Sequence, residues 1–494
     1  MDFYGRAAAL HELVAHTSAA HDTGGGRLLL VTGRRQVGKS RLLTEFVERS
    51  RLPYLYYTAP QTPAHTDHMA AWVAGSAHAT APLRDAPALF ETPPRDWPDV
   101  FGRLATVCRA TPGIVVIDDV AAAIAAEPNL VEILAAAWKR QLRRCPLLLV
   151  LVGGSAEAGA LTGALPGMAT MTLAPFNPAE CAHALGAQTT PMNAFDAYLV
   201  TGGYPRLVAG CARAVTAAAE VAAGPARRAS DAGAPAGLHD FVRSELRDEN
   251  SDFVVMGQRR LATELAESAS AQAVLAGIGR EDVELTSFSR IVARHPARGI
   301  TAQTAATRAL KLLAERKALV AAEVPVGAPA NTKLRRYHLD DLYLRFWCRF
   351  VLPHIDDIAR GRPDIAVAEF DAHWPAWRTV AVGPVARTCL RRLALSRPEF
   401  TRVETVGAWW SRDGSHEYDV VMGGDATHPI VAVGAVKWRE GEPFTPAEAR
   451  QLASARAVVP GAERTRLLAV CPAGADPEAD VDVVLDAEAL LSAW

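Results

Sequence analysis

Apolar and polar positions along the chain alternate between two periods. Arg27-Leu28-Leu29-Leu30-Val31-Thr32 is a short apolar run, the pattern of a strand buried on both faces. Leu42, Leu43, Phe46 and Val47 then recur at helical spacing. Tyr54-Leu55-Tyr56-Tyr57, Ile114-Val115-Val116-Ile117, Leu147 to Val152 and Thr172-Leu173 read as further strands. An amphipathic helix with Leu130, Ile133, Leu134 and Trp138 falls between two of them. Strands separated by helical patterns predict a parallel sheet. Residues 60 to 98 are rich in Pro and Ala, with Met69, Trp72 and Val73 as a helical face, and carry no visible chemistry.

The second half reads differently. Residues 222 to 237 form a Gly/Pro/Ala/Ser linker. From 270 to 340 the pattern predicts three helices and a two-strand wing. Val274, Leu275 and Ile278 mark the first helix, and Phe288, Ile291 and Val292 the second. The third runs from Thr301, as its cap, through Leu319. Residues 319–326 and 335–339 would form the wing, giving a winged helix-turn-helix. Leu342 to Val351 is the densest aromatic helix, a packing face by its spacing. Beyond about 370, Val403 to Trp410, Tyr418 to Met422 and Ile430 to Trp438 predict strands of a separate α/β domain.

Chemistry enters at Gly33-Arg34-Arg35-Gln36-Val37-Gly38-Lys39-Ser40. It reads G-x-x-x-x-G-K-S, the phosphate-binding loop of nucleotide triphosphatases, between a strand and a helix as that motif requires. Two glycines let consecutive N–H groups turn towards phosphate oxygens, and the helix start adds its dipole. In this motif Lys39 reaches the β- and γ-phosphates, the Ser40 hydroxyl ligates Mg2+, and Arg41 follows on the same turn. Asp118 and Asp119 end the third strand, at the edge where open α/β sheets bind ligands. Asp118 is the candidate magnesium ligand. Asp119 is the candidate for polarising the attacking water, one methylene shorter than the usual Glu. Ser155, after Gly153-Gly154 at the tip of the fourth strand, is the candidate γ-phosphate sensor.

Three further stretches carry two readings each. Arg6, in Phe3-Tyr4-Gly5-Arg6, sits either near the adenine or in a plain N-terminal helix. Pro205, in Thr201-Gly202-Gly203-Tyr204-Pro205-Arg206, contacts the base from a helical lid or makes an ordinary helix-helix turn, and Arg206 could reach the phosphates. The basic cluster Lys139-Arg140-Gln141-Leu142-Arg143-Arg144 ends a helix and offsets its dipole, or else Arg143 or Arg144 serves a neighbouring subunit as an arginine finger.

Composition narrows the partners. The net charge is −2 over 494 residues, so any DNA contact must be a local patch. The third helix of the winged segment offers one with Gln303, Thr304, Thr307, Arg308 and Lys311, though such modules also dock proteins. The seven cysteines are scattered without C-x-x-C, which fits reduced thiols in a cytoplasm. No signal peptide opens the chain and no apolar run can span a bilayer, so no membrane is expected as partner.

The C-terminal spacing resembles a restriction-endonuclease-like core, in which an Asp and a Glu-x-Lys converge on a metal. Asp419 and Lys437 match, but position 435 is Ala, and the helical glutamate near Gly383 is replaced by Val385, Ala386 and Arg387. Glu404 is the nearest migrated acid by sequence. As a whole the chain resembles archaeal-type P-loop ATPases related to AAA+ and STAND proteins. The resemblance rests on Phe3 to Arg6, Gly33 to Ser40, Ile117-Asp118-Asp119, Gly153-Gly154-Ser155, Gly202 to Pro205, the aromatic helix, and Trp409-Trp410 through Lys437-Trp438. It implies an α/β multidomain protein: a P-loop NTPase core (1–178), a helical lid and linker (179–255), a winged helix-turn-helix (256–341), and an aromatic helix with a degenerate restriction-endonuclease-like domain (342–494). It implies ATP as nucleotide and an ATPase whose nucleotide state switches a DNA- or protein-binding half. A nucleotide-gated scaffold with negligible hydrolysis is the alternative; an ATP-dependent nuclease is disfavoured by Ala435.

Overall fold

The computed structural model describes residues 3–109, 111–187, 189–222, 236–329, 331–425 and 429–494. Most of the linker at 222–237 lies outside the described residues. The chain divides into two compact units, 1–176 and 177–494.

The first unit is built on a five-stranded parallel sheet: β1 (Arg27–Thr32), β2 (Tyr54–Thr58), β3 (Gly113–Asp118), β4 (Leu147–Val152) and β5 (Ala169–Thr172). Their order is β2-β3-β4-β1-β5. The near-continuous apolar runs of β1, β3 and β4 are explained by this order, because each is interior and covered on both faces. One face packs Trp72 of helix His65–Ala77 on Tyr57 of β2, with ring centroids 4.4 Å apart, and Trp97 and Phe90 close the same cluster. The Pro- and Ala-rich stretch therefore does core work. The last strand starts three residues before its sequence pattern and ends at Thr172, the ladder partner of Thr32 where β1 stops, with the Leu173 N–H still donating to the Thr32 carbonyl.

Parallel strands run in one direction, so the carboxyl ends of β1, β3 and β4 lie along one edge, with Val31 paired to Val152 and Ile117 to Leu151. The sheet and its phosphate loop are the fold of a P-loop nucleotide triphosphatase.

The second unit opens with helices Pro178–Leu185, Pro191–Thr201, Pro205–Ala222, Ala236–Arg247, Asp252–Glu264 and Ala269–Gly279. Then come β6 (Thr286–Ser287), helices Phe288–Arg294 and Gly299–Lys311, β7 (Val320–Glu323) and β8 (Arg336–Leu339), the strands pairing antiparallel in the order β6-β8-β7. The third of the expected helices starts at Gly299 after Arg298, so Thr301 lies inside it and is not its cap; a glycine at φ +62 makes the entry instead. It also stops at Lys311, giving way to a wider turn at Leu312–Arg316.

Every residue of the aromatic helix Leu342–Phe350 is buried. Trp347 donates to the Val254 carbonyl and Tyr343 to the Phe253 carbonyl, while Phe346 and Phe350 meet Phe370 and Trp377 edge-on or tilted. A second sheet follows: β9 (Thr405–Trp410), β10 (Glu417–Gly423), β11 (Ile430–Val436), β12 (Arg466–Val470) and β13 (Val483–Leu485), ordered β13-β12-β11-β10-β9. β9 to β11 run antiparallel and β11 to β13 parallel.

Candidate nucleotide site

The loop after β1 is shaped by positions that admit few residues. Gly33 has φ +146, and a Cβ there would sit 2.4 Å from the Leu173 carbonyl oxygen, so only glycine fits. Gln36 (φ 66) and Gly38 (φ 89) complete the curl before helix Lys39–Ser50. Six described non-glycine residues have positive φ, and three of them, Arg6, Gln36 and Asp119, surround this site. Backbone strain concentrated in this way is typical of sites that must hold a ligand.

Lys39 folds back over the loop. Its Nζ donates to the carbonyls of Gly33 and Arg34, each at 2.9 Å. Burial pulls its ammonium below the ordinary lysine range, while Asp118 and Asp119 pull the other way. Lys39 and both acids are therefore gathered at one edge, as their positions in the sequence suggested. Val37 is fully buried, so only its backbone faces the loop, whereas Arg35 and Gln36 are exposed and Arg34 is half-buried. Arg41 points along the helix surface to Glu45 at 3.0 Å.

Asp118 is 6% exposed, and each carboxylate oxygen has a donor: Tyr56 Oη to Oδ2 at 2.8 Å, and the Asp119 N–H to Oδ1 at 3.0 Å. Burial and the neighbouring Asp118 push the Tyr56 phenol upward, so it keeps its proton and donates. Asp119 caps helix Val120–Ala126 through the Ala122 N–H, and its Oδ2 accepts from Gln61 Nε2 at 2.8 Å. Tyr56 and Gln61 escaped the sequence reading. Their one signal was position: β2 pairs directly with β3, Thr58 opposite Asp118. Glu157 also escaped it. Its Oε2 accepts the Gly154 N–H at 2.9 Å, and its charge is felt at Lys39. An acid in the first turn after Gly153-Gly154 was the available cue. Ser155 opens helix Ser155–Ala164, and its side chain lies outside the described residues.

Arg6 supports the loop from behind. Its guanidinium donates to the carbonyls of Val37 at 2.8 Å and Ala174 at 2.7 Å, and stacks over Phe176. Arg143 and Arg144 are exposed in a short turn just before β4, at the amino edge of the sheet, opposite the phosphate loop. Lys139 and Arg140 lie in the last turn of helix Leu130–Arg140, where their charge opposes the helix dipole, while Arg143 and Arg144 sit in the turn Leu142–Arg144 beyond its end.

Pro205 belongs to the second unit. There Tyr204 Oη donates to Asp341 Oδ2 at 2.7 Å, Arg260 reaches the same oxygen, and Gly202 packs on the Tyr343 backbone. This turn is fastened to the aromatic helix. Arg206 pairs with Asp252 on the unit's surface.

The donor set of the first unit suits magnesium, which needs only one or two protein oxygens beside phosphates and water: Ser40 and Asp118. The C-terminal acids do not suit a metal. Asp419 Oδ2 is taken by the Val436 N–H at 2.8 Å, and the Arg387 guanidinium lies against the Asp419 carbonyl, bound to Glu284 and Glu323. An internal cation thus occupies this cluster. Glu404 is no rescuer: its N–H pairs with Gly423, at the far end of β10 from Asp419. Glu284, from a distant segment, shares the Arg387 guanidinium with the Asp419 carbonyl.

The family DUF234, archaeal and bacterial proteins of unknown function, matches residues 347–452. No curated protein matches the chain. Among solved structures, the Walker-type ATPase PABY2304 of Pyrococcus abyssi is 14% identical with a TM-score of 0.46, over 70% of this chain and 96% of that one. The Aeropyrum pernix ORC1 protein in complex with DNA is 15% identical, TM-score 0.34, over 74% and 94%. Drosophila ORC bound to DNA is 16% identical, TM-score 0.35, over 73% and 87%.

Proposed function

We infer that the chain binds ATP with magnesium in its first unit, hydrolyses it slowly, and uses the nucleotide state to switch DNA or protein binding by the second. The observation that carries this is Lys39 held over the phosphate loop beside Asp118 and Asp119. In this reading loop N–H groups and Lys39 hold the phosphates, Ser40 and Asp118 hold the ion, and Asp119 orients water. Magnesium, when bound, neutralises charge on the phosphate oxygens. Ser155 senses the γ-phosphate. Arg6 acts through the loop's Val37 carbonyl.

Residues 256–341 are read as a winged helix-turn-helix. Its third helix exposes Ile300, Gln303, Thr304, Thr307, Arg308 and Lys311, a face suited to a groove or a partner protein. Residues 342–494 are read as a nuclease-like domain that no longer cuts. The seven cysteines are free and buried, which supports work in the cytoplasm.

One observation favours the second reading, a scaffold with negligible hydrolysis. Asp119 is short, strained at φ 57, and tied by Gln61 and the Ala122 N–H. Phosphate release from ATP by wild type and Lys39→Ala separates the two. Release lost in the variant supports the ATPase; ATP bound with no release by wild type supports the scaffold.

A further inference from the structure

Tyr56 has no role in the account so far, yet its hydroxyl meets the Asp118 carboxylate and the backbone of Ser40, the two residues assigned to magnesium. Its neighbours Tyr54 and Tyr57 are buried in the sheet's core, while Tyr56 is half-buried and turned to the ligand edge. Its hydroxyl donates to Asp118 Oδ2 at 2.8 Å and lies 3.4 Å from the Ser40 carbonyl oxygen. Asp118 Oδ1 is held separately by the Asp119 N–H at 3.0 Å. The carboxylate is thus fixed in rotation by one donor on each oxygen, with a further lone pair left on each. The donor on Oδ2 also stands against the first turn of the helix that carries the Ser40 hydroxyl.

We propose that Tyr56 is a magnesium-positioning residue, whose hydroxyl ties the acid at the end of β3 to the start of the loop helix so that Asp118 and Ser40 face one ion. This rests on the nucleotide reading above. Magnesium tolerates little departure from octahedral geometry and usually keeps several waters. A carboxylate free to rotate presents its oxygens to those waters poorly. A neutral phenol orients the acid without competing for it as an ammonium would. Hydrogen-bond partners of ligating groups typically contribute about 10–100-fold in metal affinity.

The test is Tyr56→Phe, which keeps the ring and removes the hydroxyl. A fluorescent ATP analogue is titrated onto the full chain in EDTA, then magnesium is titrated onto the complex. In the variant, the magnesium concentration for half-maximal tightening should rise about tenfold, with affinity in EDTA within about twofold of wild type. In an Asp118→Asn background, Tyr56→Phe should add no further shift, because the hydroxyl acts through that carboxylate. Superposable magnesium titrations for wild type and Tyr56→Phe would overturn the proposal. So would an equal loss with and without magnesium, which would make the hydroxyl a packing group. Lys39→Ala separates the two levels. If it binds the analogue like wild type, the nucleotide reading falls and Tyr56 with it. If it loses binding while Tyr56→Phe keeps the wild-type magnesium curve, the site stands and only the Tyr56 assignment falls.

Discussion

At the scale of single residues, the proposed site gives two groups at the sheet edge separate parts. Removing the Lys39 ammonium deletes a charge-assisted contact to phosphate, worth about 1.5–3 kcal/mol. Lys39→Ala should therefore weaken ATP binding at least about tenfold by calorimetry. Equal affinities for the two proteins would remove the phosphate assignment. In the proposed site Asp119 orients water, and its carboxylate is held by Gln61 and the Ala122 N–H. Asp119→Asn should leave ATP affinity within a few-fold and slow phosphate release. A variant turning over at the wild-type rate would move the hydrolytic role elsewhere.

Among elements, the second unit is joined by polar contacts buried under aromatic packing. A Cβ at Gly202 would sit 2.6 Å from the Tyr343 backbone nitrogen, at φ +60, where the helix Pro191–Thr201 ends against the aromatic helix. Gly202→Ala should cost at least about 2 kcal/mol, from left-handed strain together with overpacking. A denaturant midpoint equal to wild type would contradict that contact. The ion cluster joins β7, β8 and helix Gly383–Leu393: Glu323 pairs with Arg387 at 2.8 Å and with His338 at 3.1 Å. Burial works against its charge, but His338 and Arg387 prevail and hold Glu323 at about 2. Its folded-state value lies below the unfolded one, so its stabilisation is present above about pH 4.5 and is lost as pH falls towards 2. Glu323→Gln should thus destabilise by about 3 kcal/mol near neutrality. The gap from wild type should close through that acid window in pH-dependent chemical unfolding. A gap independent of pH would mean that Glu323 is not charged in the folded protein.

For the whole molecule, the expectation concerns DNA. Cleavage in a nuclease-like core needs carboxylates that hold a metal. Here Ala435 lacks one, and the Arg387 guanidinium sits among Glu284, Glu323 and Asp419. Plasmid DNA incubated with the protein, ATP and magnesium or manganese should stay intact. Metal-dependent nicking abolished by Asp419→Ala would reverse this reading of the C-terminal sheet. If the exposed face of helix Gly299–Lys311 binds DNA, retention in a shift assay should weaken steeply with salt.

By itself the sequence determined the phosphate loop, its flanking strand and helix, the acids at Asp118 and Asp119, and the packing role of the aromatic helix. These are local patterns: a motif of fixed spacing, or a run whose period matches its burial. Element ends were less legible, as at Thr301, because a glycine entry and a cap are close alternatives in one turn. Only the tertiary structure decided which distant side chains meet those acids. Tyr56 and Gln61 reach Asp118 and Asp119 because β2 pairs with β3, and strand order is not written in any one strand's pattern. Arg6 meets Val37, and Arg387 meets Glu284, across chain separations of 31 and 103 residues. Hydrophobic period says which face of an element is buried. What that face is buried against depends on how the elements pack.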